Sequence, residues 1–256
     1  MAWEIETYRD VALMRMNSNK VNCQNERFFA DMEEALDRLE RDHAGRPLVL
    51  ASAGKVFSAG FDFNYWFPPI QAGDEDAVGA SYHRFKKINE RLFTLGRPTV
   101  AAVNGHAYAG GLITALCCDW RIAVRGDYRF GLNELAIGLA MPAHFTEIIR
   151  YALGTRCAKE LILRARMYGA EEALEMGILD ALVPEDELID AAAKRAGELG
   201  PDSMPAYAFS KRALQAPALR RMAQDSAAVD ADFAATWCAP EAQRSTRRAQ
   251  ERLKQR

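Results

Sequence analysis

Cysteine and histidine are scarce in this sequence and are not arranged as metal ligands or as a covalent framework. The 256 residues include five cysteines, an odd number without CxxC spacing, and four scattered histidines. An unclustered set of thiols is typical of proteins from a reducing compartment. The sequence therefore argues against a disulfide scaffold and predicts no metal site.

Long apolar runs and a large excess of one charge are also missing. No apolar stretch reaches the length of a membrane span, and the N-terminus begins with an alternating pattern, Trp3–Tyr8, in place of a basic and then an apolar region. We therefore expect a cytoplasmic protein without a secretory signal or a membrane partner. The formal net charge is only −2, and Glu251 interrupts the basic cluster between Arg244 and Arg256. A nucleic-acid partner is not expected, because such proteins usually show a strong basic excess.

Strand-like and helix-like patterns alternate along most of the chain. Half of the residues are hydrophobic (49%), which is enough for a sizeable core. Strands are predicted at Trp3–Tyr8, Val11–Met16, Pro47–Ala51, Pro98–Val103, Trp120–Val124, Tyr128–Phe130 and Asp180–Val183. Helices are predicted at Phe28–Leu39, Tyr82–Leu95, Leu112–Cys117, Pro142–Leu153 and Ala170–Met176. This alternation indicates an α/β fold with crossover helices.

Only helical patterns follow Pro184. We therefore divide the chain into an α/β core, residues 1–195, and a helical region, residues 196–256. A short helical appendage rarely buries its apolar face alone, so packing against another subunit is expected.

Two features between Arg97 and Pro142 carry a chemical signal. A turn of small residues, Asn104–Gly111, joins a strand-like run to an apolar helix, and Glu134 stands in an apolar neighbourhood. Glycines let the backbone approach a ligand closely and leave N–H groups free at the start of a helix. Such donors can stabilise an oxyanion, and a buried carboxylate can act as a base. No Gly-x-Ser-x-Gly motif is present, which argues against a Ser-His-Asp triad.

Four segments, in this order, resemble the crotonase (enoyl-CoA hydratase/isomerase) superfamily. They are Phe57–Asp62, Arg97–Gly105 with Ala109–Gly111, Cys118–Ala123 and Ala170–Asp180. The resemblance implies a spiral of ββα units with two roughly perpendicular sheets and a helical C-terminal region used in trimerisation. It also implies an acyl-CoA thioester substrate, a homotrimer or a dimer of trimers, and no cofactor besides the coenzyme A of the substrate. The thioester oxygen would lie between the backbone N–H groups of Phe61 and Gly110.

The resemblance further indicates which reaction is catalysed. Hydratases of this family use two glutamates, whereas here the first position is Ile113 and the second is Glu134. A single carboxylate suffices to move a double bond, and the sequence around Glu134 is similar to that of 3,2-trans-enoyl-CoA isomerases. The alternatives are another acyl-CoA reaction (hydration, thioester hydrolysis or decarboxylation) and a non-catalytic CoA-binding oligomer.

Further residues are predicted to contact the substrate. Lys20 and Lys55 match positions near the nucleotide of CoA, although each is equally compatible with an ordinary solvated lysine. The substrate-binding set is completed by Val56, Ser58, Ala59, Asp62, Tyr108, Leu112, Ile113, Leu135 and His144. Asp62 is a second candidate acid, or else caps local backbone N–H groups.

The surroundings of Glu134 are predicted to be apolar. Leu112, Ile113 and Leu135 are expected to wall the carboxylate, raise its pKa and exclude water. His106 is interpreted as a hydrogen-bonded histidine beneath the pocket, and His144 as a weaker catalytic candidate. The run Tyr65–Phe67 is interpreted as an acyl-pocket wall, a lid or ordinary core.

Overall fold

Short apolar runs build most of the strands. A computed structural model describes residues 3–198, 201–224 and 227–254. The strands are β1 (Glu4–Tyr8), β2 (Val11–Met16), β3 (Cys23–Gln24), β4 (Leu48–Ser52), β5 (Gly60–Phe61), β6 (Thr99–Val103), β7 (Ala107–Tyr108), β8 (Trp120–Val124), β9 (Arg129–Gly131), β10 (Met167–Gly169) and β11 (Ala181–Val183). The helices are α1 (Glu26–Asp42), α2 (Phe63–Ala72), α3 (Glu75–Phe93), α4 (Gly110–Leu116), α5 (Ala143–Arg164), α6 (Ala170–Glu175), α7 (Leu188–Ala196), α8 (Met204–Gln224), α9 (Ala227–Cys238) and α10 (Pro240–Lys254).

The main sheet has six strands in the order β1-β2-β4-β6-β8-β11. Strand β1 is antiparallel to β2, and the other neighbours are parallel. The central strands β4 and β6 are buried along their whole length, as expected for parallel strands covered on both faces. Two smaller sheets, β10-β9-β7 and β3-β5, lie outside this sheet and contain the segments discussed below.

Helices cover both faces of the main sheet. Helix α1 begins at Asn25, whose side chain accepts a hydrogen bond from the Phe28 N–H, and it buries an apolar face spaced by three and four residues. Helix α7 packs on the opposite face with Leu188, Ala192 and Ala196. The predicted boundary between residues 195 and 196 falls at the end of this helix and remains a prediction.

The C-terminal helices return across the α/β core. Helix α8 is anchored by Lys211 and Tyr207, which donate to the Asp119 carboxylate at the start of β8. Helix α9 packs on α3, and helix α10 packs on α2. In the described part of the chain, no helix is both long enough and apolar enough to cross a membrane.

The predicted strands and helices are largely confirmed, with differences at several boundaries. Helix α3 begins seven residues before the predicted start at Tyr82. Helix α5 continues past the predicted end at Leu153, although Gly154 introduces a kink with a φ of 73°. Helix α2 and the two- or three-residue strands β3, β5, β7 and β10 were not predicted. Arg256, the last member of the basic cluster, lies outside the described residues.

Candidate active site

Two parallel strands bring the glycine turn and Glu134 to one edge of a sheet. Strand β7 pairs in parallel with β9, with Tyr108 opposite Gly131, and the Ala109 N–H donates to the Gly131 carbonyl at 2.8 Å. The chain leaves β7 towards Gly110 and leaves β9 towards Glu134. Because the carboxyl ends of parallel strands lie at the same edge, the two features identified from the sequence emerge side by side.

Close backbone contacts fix the glycine turn against the loop that precedes β5. A β-carbon added to Gly105 would lie 2.2 Å from the Lys55 carbonyl oxygen, and one on Gly111 would lie 2.6 Å from the Ser58 carbonyl oxygen. Contacts this short exclude any side chain at the two positions. The Tyr108 N–H also donates to the Ser58 carbonyl at 3.1 Å. These contacts therefore fix the distance between the glycine turn and the loop that precedes β5.

The residue before α4 has an unusual backbone conformation. Ala109 has φ = 47° and ψ = −123°, a conformation that favours glycine. The Ala109 carbonyl accepts the first helical hydrogen bond, from Ile113. Since the first three N–H groups of a helix have no acceptor four residues earlier, the N–H of Gly110 has no partner within α4. The backbone conformation of Ala109 thus sets the direction in which the Gly110 N–H points.

Phe61 approaches Gly110 from strand β5. The next residue, Asp62, donates its N–H to the Gln24 carbonyl of β3 at 3.1 Å, and alternation along a strand turns the Phe61 N–H to the opposite side. A β-carbon on Gly110 would lie 3.0 Å from the ring of Phe61. The preceding residue, Gly60, has φ = 76°, and a β-carbon there would lie 2.4 Å from the Tyr108 carbonyl oxygen.

Glu134 is a buried carboxylic acid without a polar partner. Its exposed fraction is 2%, and neither carboxylate oxygen has a hydrogen-bond partner within the described residues. Burial raises its pKa to about 7, because removal from water penalises the charged form. A carboxyl group with this pKa can both accept and return a proton near neutral pH.

The C-terminal helices cover the segment that follows Glu134. The Trp237 ring nitrogen donates to the Ala140 carbonyl at 2.8 Å. A β-carbon on Gly138, which has φ = 77°, would lie 2.7 Å from the side chain of Ser245 on α10. The ring of Trp237 also contacts Phe61 and Trp66, with centroids 5.7 Å from each. Helices α9 and α10 therefore cover the site from the same chain.

Comparison with known proteins establishes the family. Residues 6–256 match the family described as enoyl-CoA hydratase/isomerase. The chain belongs to this family. It is 33% identical over 190 residues to enoyl-CoA delta isomerase 1, mitochondrial, of Mus musculus, which covers 72% of this chain and 63% of the mouse protein. The chain thus spans less than two thirds of that relative. It is also 34% identical over 183 residues to a putative enoyl-CoA hydratase of Thermus thermophilus, covering 72% and 71% of the two chains.

A solved structure shows the same fold. The crystal structure of human mitochondrial delta3-delta2-enoyl-CoA isomerase superimposes with a TM-score of 0.89 at 25% identity, covering 100% of this chain and 99% of the human one. The crotonase-like α/β fold predicted from the sequence is therefore confirmed.

In this enoyl-CoA hydratase/isomerase family member, the residues predicted near the nucleotide of CoA lie on neighbouring loops. Lys20 and Lys55 are both exposed, and the Lys20 carbonyl abuts Gly54, which precedes Lys55. Val56 and Ala59 are half-buried. The Ser58 side chain is fully buried instead, and its hydroxyl donates to the Asn22 carbonyl and accepts from the Gly60 N–H. This hydroxyl is occupied within the protein.

Asp62 directly follows β5, and Tyr108 belongs to the glycine turn. The Asp62 carboxylate accepts from the Asn64 N–H at the start of α2 and from the Asn25 side chain, which corresponds to the capping alternative. Tyr108 is half-buried, and its ring stacks on His106 with centroids 5.2 Å apart. His106 accepts a hydrogen bond from the Arg129 N–H through Nδ1, as its interpretation as a bonded histidine requires.

The remaining predicted residues divide into buried and exposed groups. Leu112 and Ile113 are buried in the core, whereas Leu135 is 38% exposed and lines a surface groove beside α5. The expected role of these three residues as an apolar wall around Glu134 remains a prediction.

His144 is buried near helix α3. Its Nε2 lies 3.7 Å from the Glu90 carboxylate, and neither ring nitrogen has a hydrogen-bond partner in residues 3–198, 201–224 or 227–254. Burial and the nearby Lys86 lower its pKa to about 3, so the ring is neutral at physiological pH. Among the described residues, no group of three or more His, Cys, Asp or Glu side chains is placed to hold a metal ion.

The sequence pattern did not identify two residues at this site. Gln24 is fully buried beside Gly110, and Trp237 covers the segment after Glu134. A single glutamine between Cys23 and Asn25 carries no periodic signal, and a tryptophan in a distant helix is indistinguishable from a core residue.

Proposed function

We propose that this protein is a 3,2-enoyl-CoA isomerase that moves a C3 double bond of an acyl-CoA thioester to C2. Glu134 is the single acid and base. The backbone N–H groups of Phe61 and Gly110 bind the thioester carbonyl oxygen. Among the relatives, isomerases of mouse and human are similar to this chain, which supports the same activity.

One observation carries this proposal, namely the isolation of the Glu134 carboxylate. Hydration requires one group to activate water and another to deliver a proton to carbon. The buried carboxylate of Glu134 has no polar partner in the described part of the chain. The resemblance to the family places Ile113 at the first of the two glutamate positions of hydratases. An unpartnered base in apolar surroundings suits proton transfer between two carbon atoms of one substrate.

The reaction follows from these groups. The ionised Glu134 takes a proton from C2 of the 3-enoyl thioester, and the electron pair delocalises over a dienolate. Negative charge develops on the thioester oxygen, where the N–H groups of Phe61 and Gly110 stabilise it; one such donor typically lowers a barrier by about 3 kcal/mol. The protonated Glu134 then returns the proton to C4, and the 2-enoyl thioester leaves.

Substitution of Glu134 by glutamine tests the assignment. We expect Glu134→Gln to lower the turnover of 3-hexenoyl-CoA by at least about 100-fold, the usual contribution of an acid–base group. The assay follows the gain of conjugated-enoyl absorbance. Near-normal turnover by the variant would contradict the role of Glu134.

The same assay with crotonyl-CoA separates the alternative reactions. A gain of absorbance with 3-hexenoyl-CoA and no loss with crotonyl-CoA supports the isomerase. Loss with crotonyl-CoA alone would identify a hydratase, the activity in the name of the Thermus thermophilus relative. No change with either substrate would contradict the isomerase and favour another acyl-CoA reaction or a non-catalytic CoA-binding oligomer.

Assembly as a homotrimer or a dimer of trimers is part of the same proposal. Among the described residues, three large apolar side chains are strongly exposed: Leu163 (62%), Phe209 (78%) and Leu214 (69%). Where such side chains form a contiguous apolar surface, that surface is typical of a contact with another subunit.

A further inference from the structure

We propose that Gln24 is a positioning residue that fixes the distance between the two backbone donors of the site, the N–H groups of Phe61 and Gly110. This inference rests on the proposed function, because it concerns the donors assigned there. Gln24 is fully buried, and its side-chain oxygen has no hydrogen-bond partner within the described residues.

The main chain of Gln24 holds the segment that carries Phe61. Strand β3 pairs with β5, with Gln24 opposite Phe61. The Gln24 carbonyl accepts the Asp62 N–H at 3.1 Å and the ring N–H of Trp66 at 3.0 Å. These bonds do not involve the side chain, so they persist when the side chain is changed.

The side chain of Gln24 reaches the segment that carries Gly110. Its Nε2 donates to the Thr114 hydroxyl on helix α4 at 3.0 Å. Its Oε1 lies against Gly110, since a β-carbon there would be only 2.1 Å from that oxygen. One residue thus contacts both segments, the first through its backbone and the second through its amide.

A chain of buried hydrogen bonds fixes the orientation of this amide. Asn89 donates through Nδ2 to the Phe85 carbonyl at 2.9 Å, so its Oδ1 faces Thr114. The Thr114 hydroxyl lies 2.9 Å from this Oδ1 and 3.1 Å from the Gly110 carbonyl, and it donates its proton to one of them. Thr114 can therefore only accept from Gln24, which directs Nε2 to Thr114 and Oε1 to Gly110.

The unpartnered side-chain oxygen of Gln24 argues against a role of this residue in stability alone. A buried polar atom without a partner destabilises the fold, and such an atom in a folded protein requires a specific reason. An apolar side chain of similar size would fill the same space without this penalty. The amide instead links α4 to β3 at the point where the backbone donors must keep a fixed separation.

The test compares Gln24→Leu with wild type in turnover and in ligand spectroscopy. The leucine side chain keeps the volume and the main-chain bonds but removes the link to Thr114. We expect kcat for 3-hexenoyl-CoA to fall about tenfold or more, as small displacements of catalytic groups do, with KM within about threefold. The infrared carbonyl band of bound 2-hexenoyl-CoA, labelled with ¹³C at C1, should move back towards its frequency in water.

Gln215→Leu is the matched control. Gln215 is also a buried glutamine, but its side chain donates to the Phe93 carbonyl at the end of α3 and not to a residue of α4. We expect this variant to keep the wild-type kcat and carbonyl frequency. Thr114→Val removes the acceptor of the Gln24 hydrogen bond. This variant should change kcat and the carbonyl frequency in the same direction as Gln24→Leu. The effects of the two substitutions should be less than additive in the double variant, because both break one bond.

The outcomes distinguish this inference from the proposed function. A wild-type protein without isomerase turnover and without a carbonyl shift would contradict the proposed function itself. If the wild-type protein shows turnover and a carbonyl shift, and a folded Gln24→Leu variant shows the same turnover and the same shift, then Gln24 does not position the donors. If Gln24→Leu does not fold, wild-type values in Thr114→Val would lead to the same rejection.

Discussion

Two buried titratable residues, Glu134 and His144, respond to burial in opposite directions. Removal from water disfavours the charged form of each group, which raises the pKa of the carboxyl group to about 7 and lowers that of the imidazole to about 3. His144 is therefore neutral across the physiological range, whereas Glu134 changes its charge within it. Of these two residues, only Glu134 can exchange a proton with a substrate near pH 7.

The raised pKa of Glu134 also predicts how stability depends on pH. The carboxyl group has a pKa of about 7 in the fold and an ordinary value of 4.5 in the unfolded chain. A raised pKa means that the fold binds the proton more tightly, so the stabilisation is present below pH 4.5 and is lost as the pH rises to 7. This loss amounts to roughly 3 kcal/mol.

Urea unfolding at pH 5 and pH 8 measures this effect. Between these values, the wild-type protein should lose more of its unfolding free energy than Glu134→Gln, because the amide stays neutral in both states. The loss of unfolding free energy between pH 5 and pH 8 should be greater in the wild type than in the variant by most of the roughly 3 kcal/mol. Equal losses in both would mean that the pKa of Glu134 is not raised in the fold.

At the scale of elements, the close contact of β5 with the glycine turn predicts the result of substituting Gly60. Gly60 and Gly177 have the same φ of 76°, but only a β-carbon on Gly60 meets backbone atoms, whereas one on Gly177 meets nothing within 4 Å. Alanine at either position strains the backbone by about 1–2 kcal/mol. Steric overlap should add about 1–3 kcal/mol at Gly60 alone.

Thermal or urea unfolding of Gly60→Ala and Gly177→Ala isolates this steric contribution. Gly60→Ala should be the less stable variant and should also lose turnover, because the Phe61 N–H shifts with its neighbour. Gly177→Ala should lose stability only. Equal stability of the two variants would contradict the close packing of β5 on the turn.

The sequence predicted the long elements because their patterns repeat over several turns or residues. Helix α2 lacks such a signal, since it contains Pro68 and Pro69, and proline lacks the N–H that a helix interior uses. Burial of Trp66 and Phe67 and the Asp62 cap outweigh this disadvantage. Strands of two or three residues, such as β5 and β7, are too short for alternation to be detected.

The candidate site was predictable where it depends on local chemistry. The glycine turn and Glu134 could be read from residue types, and the resemblance to a family added Phe61. Gln24 was not predictable, because its importance arises from contacts with Thr114 and Gly110, which are about 90 residues away in the chain. Contacts of this kind follow from topology and not from local pattern.

At the scale of the whole molecule, the C-terminal helices connect stability to the site. Helix α9 places Trp237 across Phe61 and Trp66 and bonds it to the Ala140 carbonyl, six residues after Glu134. The helical region therefore holds the segment that carries the proposed catalytic base, in addition to any role in assembly. Substitutions in α9 should therefore affect catalysis through the contact of Trp237 with Ala140.

Trp237→Phe, compared with Trp3→Phe, tests this connection. Both tryptophans are buried, and each donates one hydrogen bond from its ring nitrogen, Trp237 to Ala140 and Trp3 to the Ser18 hydroxyl. Each substitution should lower the unfolding free energy by about 1–3 kcal/mol, through the lost bond and the smaller ring. Only Trp237→Phe should also lower kcat for 3-hexenoyl-CoA, because it releases the segment after Glu134. Equal kcat in both variants, with similar losses of stability, would show that α9 supports the fold without positioning the base.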